Sequence, residues 1–184
     1  MNRAVRALQV PVKGALAEKS ALFLLFLLGT VLGAYVEIPL PFTPVPVTLQ
    51  TLFVLLCAAW LGAGWGAGVQ ALYLSSGAFG AGVFAGAASG FVQLAGPTAG
   101  YLWAFLPAAL LVGTCWKFVA GRGAVAKALL FCAADALILA SGTVWLASFL
   151  HVGPQAALAM GVVPFLPGEA VKIALAVAFS PKGR

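Results

Sequence analysis

The basic residues of this chain are confined to a few short stretches, and long apolar runs separate them. Nine of the ten Lys and Arg residues lie near the N-terminus, in the turn around Arg122, or at the C-terminus. Only 8% of the residues are charged, whereas about a quarter are charged in a soluble domain. The runs are too long for β-barrel strands, which alternate over about ten residues. The pattern predicts an all-α integral membrane protein.

Six transmembrane helices are predicted in one membrane domain spanning residues 1–184. Residues 1–20 form a predicted cytoplasmic segment, and a six-helix bundle occupies about residues 21–180. A cleaved signal peptide is the alternative for the basic start and the apolar run that follows it. The helices are predicted at 21–33, 48–61, 69–74, 97–116, 128–150 and 167–180. A glycine-rich turn, 62–68, separates the second from the third, and a partial helix at 154–163 precedes the sixth.

The positive-inside rule places both termini in the cytoplasm of a multi-pass plasma-membrane protein. The net charge of +6 therefore reflects topology and predicts no nucleic-acid partner. Three unusual stretches then share the outer side. They are a proline-rich extended connection at 37–47, a Gly-rich loop between helices 3 and 4 at 75–100, and the region before Pro167. We expect a ligand pocket near this outer face.

Glu169 and Lys172 are the charges of greatest interest, because both lie inside an apolar segment. Pro167 suits the first turn of a helix, and Glu169 then lies near the positive end of the helix dipole. A spacing of three residues places both side chains on one helical face. Charges within membrane segments are costly and usually mark a binding site or a pathway. The alternative is a buried ion pair that only fixes helix packing.

Three motifs of the sequence resemble those of the BioY family. They are Ile38–Leu52, Leu94–Tyr101 and Pro164–Lys172. BioY proteins are the biotin-specific substrate-binding (S) components of energy-coupling-factor (ECF) transporters. The resemblance implies a six-helix protein that captures biotin from outside and binds it through Glu169 and Lys172. Its implied partners are a transmembrane coupling subunit and two cytoplasmic ATPases, besides membrane lipid.

Biotin carries a ureido ring, a thioether ring and a carboxylate tail. Ionised Glu169 could accept from a ureido N–H, and Lys172 could donate to the ureido oxygen. Loop N–H groups, Ser89, Gln93 and Thr98 are the candidates for the carboxylate, with no choice among them. The aromatic candidates for the apolar wall are Tyr73, Phe79, Phe84, Tyr101 and Trp103. Helix packing is the alternative role for each aromatic.

Four further features of the sequence need a role. Gly29 and Gly33 form a small-residue stripe that would let another backbone approach, from a neighbouring helix or from a partner subunit. Asp135 could orient Lys172 or pair with a coupling partner. Glu37 is expected to be solvated. The three cysteines are interpreted as small buried hydrophobic residues rather than as a metal site or a disulfide framework.

Other functions remain as alternatives. The chain lacks the phosphate-binding loop of an ATPase, so it cannot energise transport alone. A solitary biotin carrier and an S component for another vitamin are the nearer alternatives. The remote one is an intramembrane hydrolase that uses Ser89 and His151, although a triad is established by geometry and not by a dipeptide. We predict no enzymatic activity, no cofactor and no metal.

Overall fold

The computed structural model describes residues 12–181, with side chains from Leu16 onward, and this part of the chain is mostly helical. The basic residues at positions 3, 6, 182 and 184, on which the predicted cytoplasmic location of both termini partly depends, lie outside the described residues. In chain order the elements are α1 (Val12–Tyr35), β1 (Glu37–Leu40), β2 (Thr43–Thr48), α2 (Gln50–Leu61), α3 (Ala63–Ala78), α4 (Ala99–Val119), α5 (Ala124–Leu150), α6 (Pro154–Gly161) and α7 (Leu166–Phe179).

The proline-rich connection is extended, as predicted, and it folds into an antiparallel hairpin of β1 and β2 that the all-α prediction did not include. Glu37 pairs with Thr48 and Ile38 with Val47. Prolines are tolerated because each strand of a two-stranded sheet has a free edge, where a missing N–H leaves no partner unpaired. The end of the hairpin is fixed to α1, since the Leu49 N–H donates to the carbonyl of Gly33 at 2.9 Å.

Helix α2 lies at the centre of the bundle. Every residue of α2 except Phe53 and Trp60 is buried. It packs against α1, α3, α4, α5 and α7. Its 12 residues span only about 18 Å at 1.5 Å per residue. A short helix can occupy this position because protein, and not lipid, surrounds it.

Three predicted boundaries were wrong. The turn between the second and third helices is limited to Gly62, which has φ +80°, and α3 begins at Ala63. Helix α3 also continues to Ala78, whereas the sequence predicted loop from residue 75. Helix α1 begins at Val12 and not at Ala21.

Within residues 12–181, three helices are long and apolar enough to cross a membrane: α1 from Leu16, α4 and α5. Helices α6 and α7 together would make a fourth span, bent by 50° at residues 162–165. Helices α2 and α3 fall below this length. The number of six crossings therefore stays a prediction, whereas the membrane character follows from the apolar helices.

The glycine stripe of α1 packs against α2 of the same chain. A side chain at Gly29 would overlap the ring of Phe53, and one at Gly33 would meet the backbone at Leu49 and Gln50. Both glycines are buried. Of the two partners considered for this stripe, the neighbouring helix is the one that occupies it. Direct contact of these glycines with another subunit would require α2 to move.

Glycines 64 and 66 of α3 provide a matched test of the helix packing. A Cβ at Gly66 would lie 2.8 Å from the Ala58 Cα of α2, whereas one at Gly64 would have no neighbour within 4 Å. We expect Gly66→Ala to destabilise the protein by about 1–3 kcal/mol through overpacking. Gly64→Ala is expected to stabilise it by up to about 1 kcal/mol, because alanine favours helix more than glycine does.

Unfolding of both variants in mixed detergent micelles measures these changes. Equal effects of the two substitutions would contradict the close approach of α2 and α3.

Candidate functional site

A cavity of about 280 Å³ opens between the hairpin, the α3–α4 connection and α7. The three stretches that the sequence marked as unusual all contribute to its wall. Helices α2, α4 and α5 supply the remainder. The lining residues are Glu37, Pro44, Val45, Pro46, Thr48, Gln50, Thr51, Phe84, Ala85, Gly86, Gln93, Pro97, Thr98, Tyr101, Leu102, Phe105, Ile138, Leu139, Phe165, Glu169 and Lys172. Its volume is near the lower end of the range for small-molecule pockets.

Glu169 and Lys172 form a buried ion pair in this cavity. The Lys172 Nζ lies 2.6 Å from Glu169 Oε1, and each residue is only 4% exposed. Glu169 is in the first turn of α7, where the free N–H groups favour a negative charge. The predicted shared helical face is therefore present. The role of the Glu169–Lys172 pair in ligand binding stays a prediction.

Thr51 connects the two charges and was missed from the sequence. Its hydroxyl donates to Glu169 Oε2 at 2.9 Å and accepts from Lys172 Nζ at 2.9 Å. The third donor of Lys172 meets the Thr48 carbonyl at 2.6 Å. An ammonium group has three donors, so Lys172 is fully paired. The available signal was the polar start of α2, Thr48 to Thr51, before an otherwise apolar helix.

A second set of hydrogen bonds extends from α2 to the α3–α4 connection. The Thr48 hydroxyl donates to Gln50 Oε1 at 3.2 Å, and Gln50 Nε2 donates to the Tyr73 hydroxyl. Tyr73 in turn donates to the carbonyl of Val83 at 3.2 Å. This network fixes residue 83 of the connection relative to the ion pair. Residues 79–98 contain two short 3-10 turns, Ala85–Ala87 and Phe91–Leu94.

Among the predicted aromatic wall residues, Phe84 and Tyr101 line the cavity. Tyr101 is held in place because its hydroxyl donates to the Gly161 carbonyl at 2.8 Å and its ring packs on Gly142. Tyr73 is fully buried behind Phe84, edge to face with it, and does not line the cavity. The two other aromatic candidates, at positions 79 and 103, lie outside the cavity lining.

The predicted polar candidates separate in the same way. Gln93 and Thr98 line the cavity, whereas Ser89 is exposed and does not. Glu37 was expected to be solvated, but it is part of the lining and only partly exposed. The hairpin turns the first residue of β1 toward the cavity.

Asp135 is buried on α5, where it lies beside Glu169. It makes no hydrogen bond to Lys172 in the described part of the chain. The hydrogen-bond partners of Lys172 are Glu169, Thr51 and the Thr48 carbonyl.

The cysteines differ from the interpretation that all three are buried. Cys57 is buried and Cys115 is partly so, but Cys132 is exposed on α5.

Chemically, the cavity presents the anionic acceptor Glu169 beside the cationic donor Lys172, in a wall that combines apolar residues with Glu37 and neutral polar side chains. This arrangement suits a neutral ligand group with a carbonyl oxygen next to an N–H. Because both charges are already paired, such a ligand adds to the existing hydrogen bonds and shares them. Charge-assisted hydrogen bonds of this kind are short and directional.

Comparison with known proteins gives consistent matches. A family model described as "BioY family" matches residues 3–184. The chain is 37% identical to the "Probable biotin transporter BioY" of Pyrococcus horikoshii over 88% of this chain and 93% of the relative. It is 34% identical to the "Biotin transporter BioY" of Thermotoga maritima, with 79% and 83% covered. It is 35% identical to the "Biotin transporter BioY2" of Lactococcus lactis, over 86% of this chain and 87% of the relative.

The fold matches a solved structure with a TM-score of 0.85. That structure is described as the "S-component for biotin from an ECF-type ABC transporter". The alignment covers 90% of this chain and 89% of the other, at 20% sequence identity. At this identity the match establishes the fold.

The position of Thr51 between the charges leads to a stability prediction. Thr51→Val keeps the shape but removes a donor from Glu169 and an acceptor from Lys172. We expect a loss of about 1–3 kcal/mol, the cost of leaving buried polar groups unpaired. Thr48→Val is the control, since the Thr48 carbonyl still accepts from Lys172 and only the bond to Gln50 is lost. Unfolding in mixed micelles measures both, and equal stability of the two variants would contradict the bridging role.

Proposed function

Because the chain belongs to the BioY family, we propose that it is the biotin-binding S component of an ATP-driven vitamin transporter of the energy-coupling-factor type. The observation that carries the proposal is the buried group of Glu169, Thr51 and Lys172 in the cavity wall. It offers an acceptor and a donor side by side, as a ureido ring requires. Biotin is the ligand, and the proposal includes no cofactor.

In this proposal the ureido ring of biotin lies against Glu169 and Lys172. A ureido N–H donates to Glu169, and Lys172 donates to the ureido oxygen. The thioether ring then contacts the apolar wall, for which Phe84 and Tyr101 are the aromatic candidates. A ligand without the ureido group would desolvate both charges without pairing with them, so the site would reject it strongly.

The carboxylate tail of biotin is assigned to Gln93, Thr98 and nearby loop N–H groups. These are neutral donors on the α3–α4 connection, and Gln93 and Thr98 line the cavity. Glu37 lines it as well, and a second carboxylate would repel the tail. We therefore place the tail away from Glu37. Ser89 is left out of this assignment because it lies outside the lining.

The proposed membrane arrangement has six crossings with both termini in the cytoplasm. It is supported by the positions of the Lys and Arg residues, which the positive-inside rule assigns to one side. The cavity then opens outward, where biotin is captured. Release inward is assigned to a transmembrane coupling subunit and two cytoplasmic ATPases. A solitary carrier is the alternative, and accumulation of biotin by cells without such partners would favour it.

An intramembrane hydrolase remains the remote alternative, and the geometry gives it little support. Ser89 is exposed on the α3–α4 connection, and His151 is exposed at the end of α5, in the left-handed conformation. No hydrogen bond joins the two side chains. A serine nucleophile requires such contact with its base, so we propose no catalytic role for the chain.

Equilibrium binding to the purified, detergent-solubilised chain tests the ligand and the two charges. We expect tight binding of biotin without ATPase subunits, and little binding of thiamine. Glu169→Gln and Lys172→Ala should each weaken biotin binding by a factor of about 100 or more, because the first removes the anionic acceptor and the second the cationic donor of the ureido ring. Ser148→Ala, on the exposed side of α5, should bind like the wild type.

Two analogues refine this test. Desthiobiotin keeps the ureido group and should bind, whereas 2-iminobiotin has a charged guanidinium in its place at neutral pH and should be repelled by Lys172. Lys172→Ala should reduce the preference for biotin over 2-iminobiotin. Wild-type affinity in both charge variants would overturn the site, and preference for thiamine would favour another vitamin.

Thiol labelling of intact cells tests the outward orientation. With Cys115 and Cys132 replaced by alanine and the buried Cys57 retained, single cysteines are introduced at Ser89 or Gly121, both exposed positions. We expect a membrane-impermeant maleimide to label Ser89→Cys in intact cells and Gly121→Cys only after permeabilisation. The reverse pattern would invert the proposed topology.

A further inference from the structure

Asp135 is a buried carboxyl group for which the proposed binding chemistry has no use. It is 4% exposed on α5, and its Oδ1 has no hydrogen-bond partner among the described residues. It does not line the cavity. Glu169 is its neighbour across the α5–α7 contact. A buried acid in this position requires a partner or a proton.

The charges around Asp135 do not balance if every group is ionised. Glu169 and Lys172 of α7 are the charged groups that interact with it. The titratable residues of the other helices against α5 are Cys57 on α2 and Tyr101, Cys115 and Lys117 on α4. None of these contributes a second cation beside Asp135. Two carboxylates and one ammonium would leave a net negative charge buried, which is strongly unfavourable.

Two carboxyl groups in contact avoid this charge by sharing one proton. Glu169 is the better site for the negative charge, since Lys172 and Thr51 both donate to it. We propose that Asp135 is a positioning residue that stays protonated and donates its O–H to Glu169, thereby holding Glu169 ionised and oriented toward the ligand. The group then has one negative and one positive charge and is neutral overall.

This assignment also accounts for the hydrogen-bonding capacity of Glu169. An ionised carboxylate has about four acceptor positions. Lys172 and Thr51 occupy two of them, and the O–H of Asp135 occupies a third. One position is left for a ligand N–H. The inference deepens the proposed function and rests on it for the ligand, but the proton on Asp135 can be tested without any ligand.

Infrared spectroscopy of the ligand-free protein is the direct test. The chain contains only four Asp and Glu residues, so a protonated carboxyl band is readily assigned. In a detergent without ester groups at neutral pH, we expect a carboxylic C=O stretching band above the amide I band. The band should shift in D₂O. It should be absent from Asp135→Asn and retained in Glu18→Gln, which changes an exposed acid of α1.

Glu169→Gln distinguishes a shared proton from an isolated acid. In this variant Asp135 becomes the only carboxylate beside Lys172, so it should ionise and the band should disappear. Absence of the band from the wild type would overturn the proposal. So would its persistence in Asp135→Asn or in Glu169→Gln.

Biotin binding tests the positioning role separately. Asp135→Asn keeps an N–H donor for Glu169 and should bind biotin within about threefold of the wild type. Asp135→Leu has the same branching but no donor, and should bind about tenfold more weakly, as expected for the loss of one charge-assisted hydrogen bond. Equal affinities of these two variants would overturn the positioning role. If neither the wild-type protein nor either variant binds biotin, the proposed function fails. The infrared result still decides the protonation of Asp135.

Discussion

The structure depends on the cost of burying Lys172 and Glu169 in an apolar bundle. A buried ion pair is tolerated only if its remaining donors and acceptors are also paired. Here α2 provides that pairing, through the Thr51 hydroxyl and the Thr48 carbonyl. The start of α2 must therefore lie against α7. This requirement explains why a helix of 12 residues is at the centre of the bundle.

The same requirement organises the cavity. The hairpin delivers the chain from α1 to the start of α2, with Leu49 fixed to Gly33. Gln50 and Tyr73 then extend the polar contacts to Val83 of the α3–α4 connection. The hairpin, the α3–α4 connection and the ion pair are thus joined by hydrogen bonds. A site built this way is largely preorganised, which reduces the entropy lost on binding a ligand.

Several features were predictable from the sequence because they depend on local patterns. The apolar runs and the terminal positions of the Lys and Arg residues indicated a helical membrane protein. Pro167 and the three-residue spacing placed Glu169 and Lys172 on one helical face. Glycine was less informative. Gly62 ends a helix, whereas Gly66 lies within one, packed on Ala58. Composition alone cannot distinguish the two roles, since each depends on what lies opposite.

The sequence by itself determined the class of the protein and the two charges of the site, because hydropathy and helical spacing are properties of neighbouring residues. Only the tertiary structure decided which polar groups meet those charges. Thr51 joins the site and Ser89 does not, and Asp135 lies beside Glu169 although 34 positions separate them in the chain. Such contacts depend on which faces of distant helices converge. That convergence is set by side-chain packing between distant helices, which cannot be predicted from any short stretch of sequence.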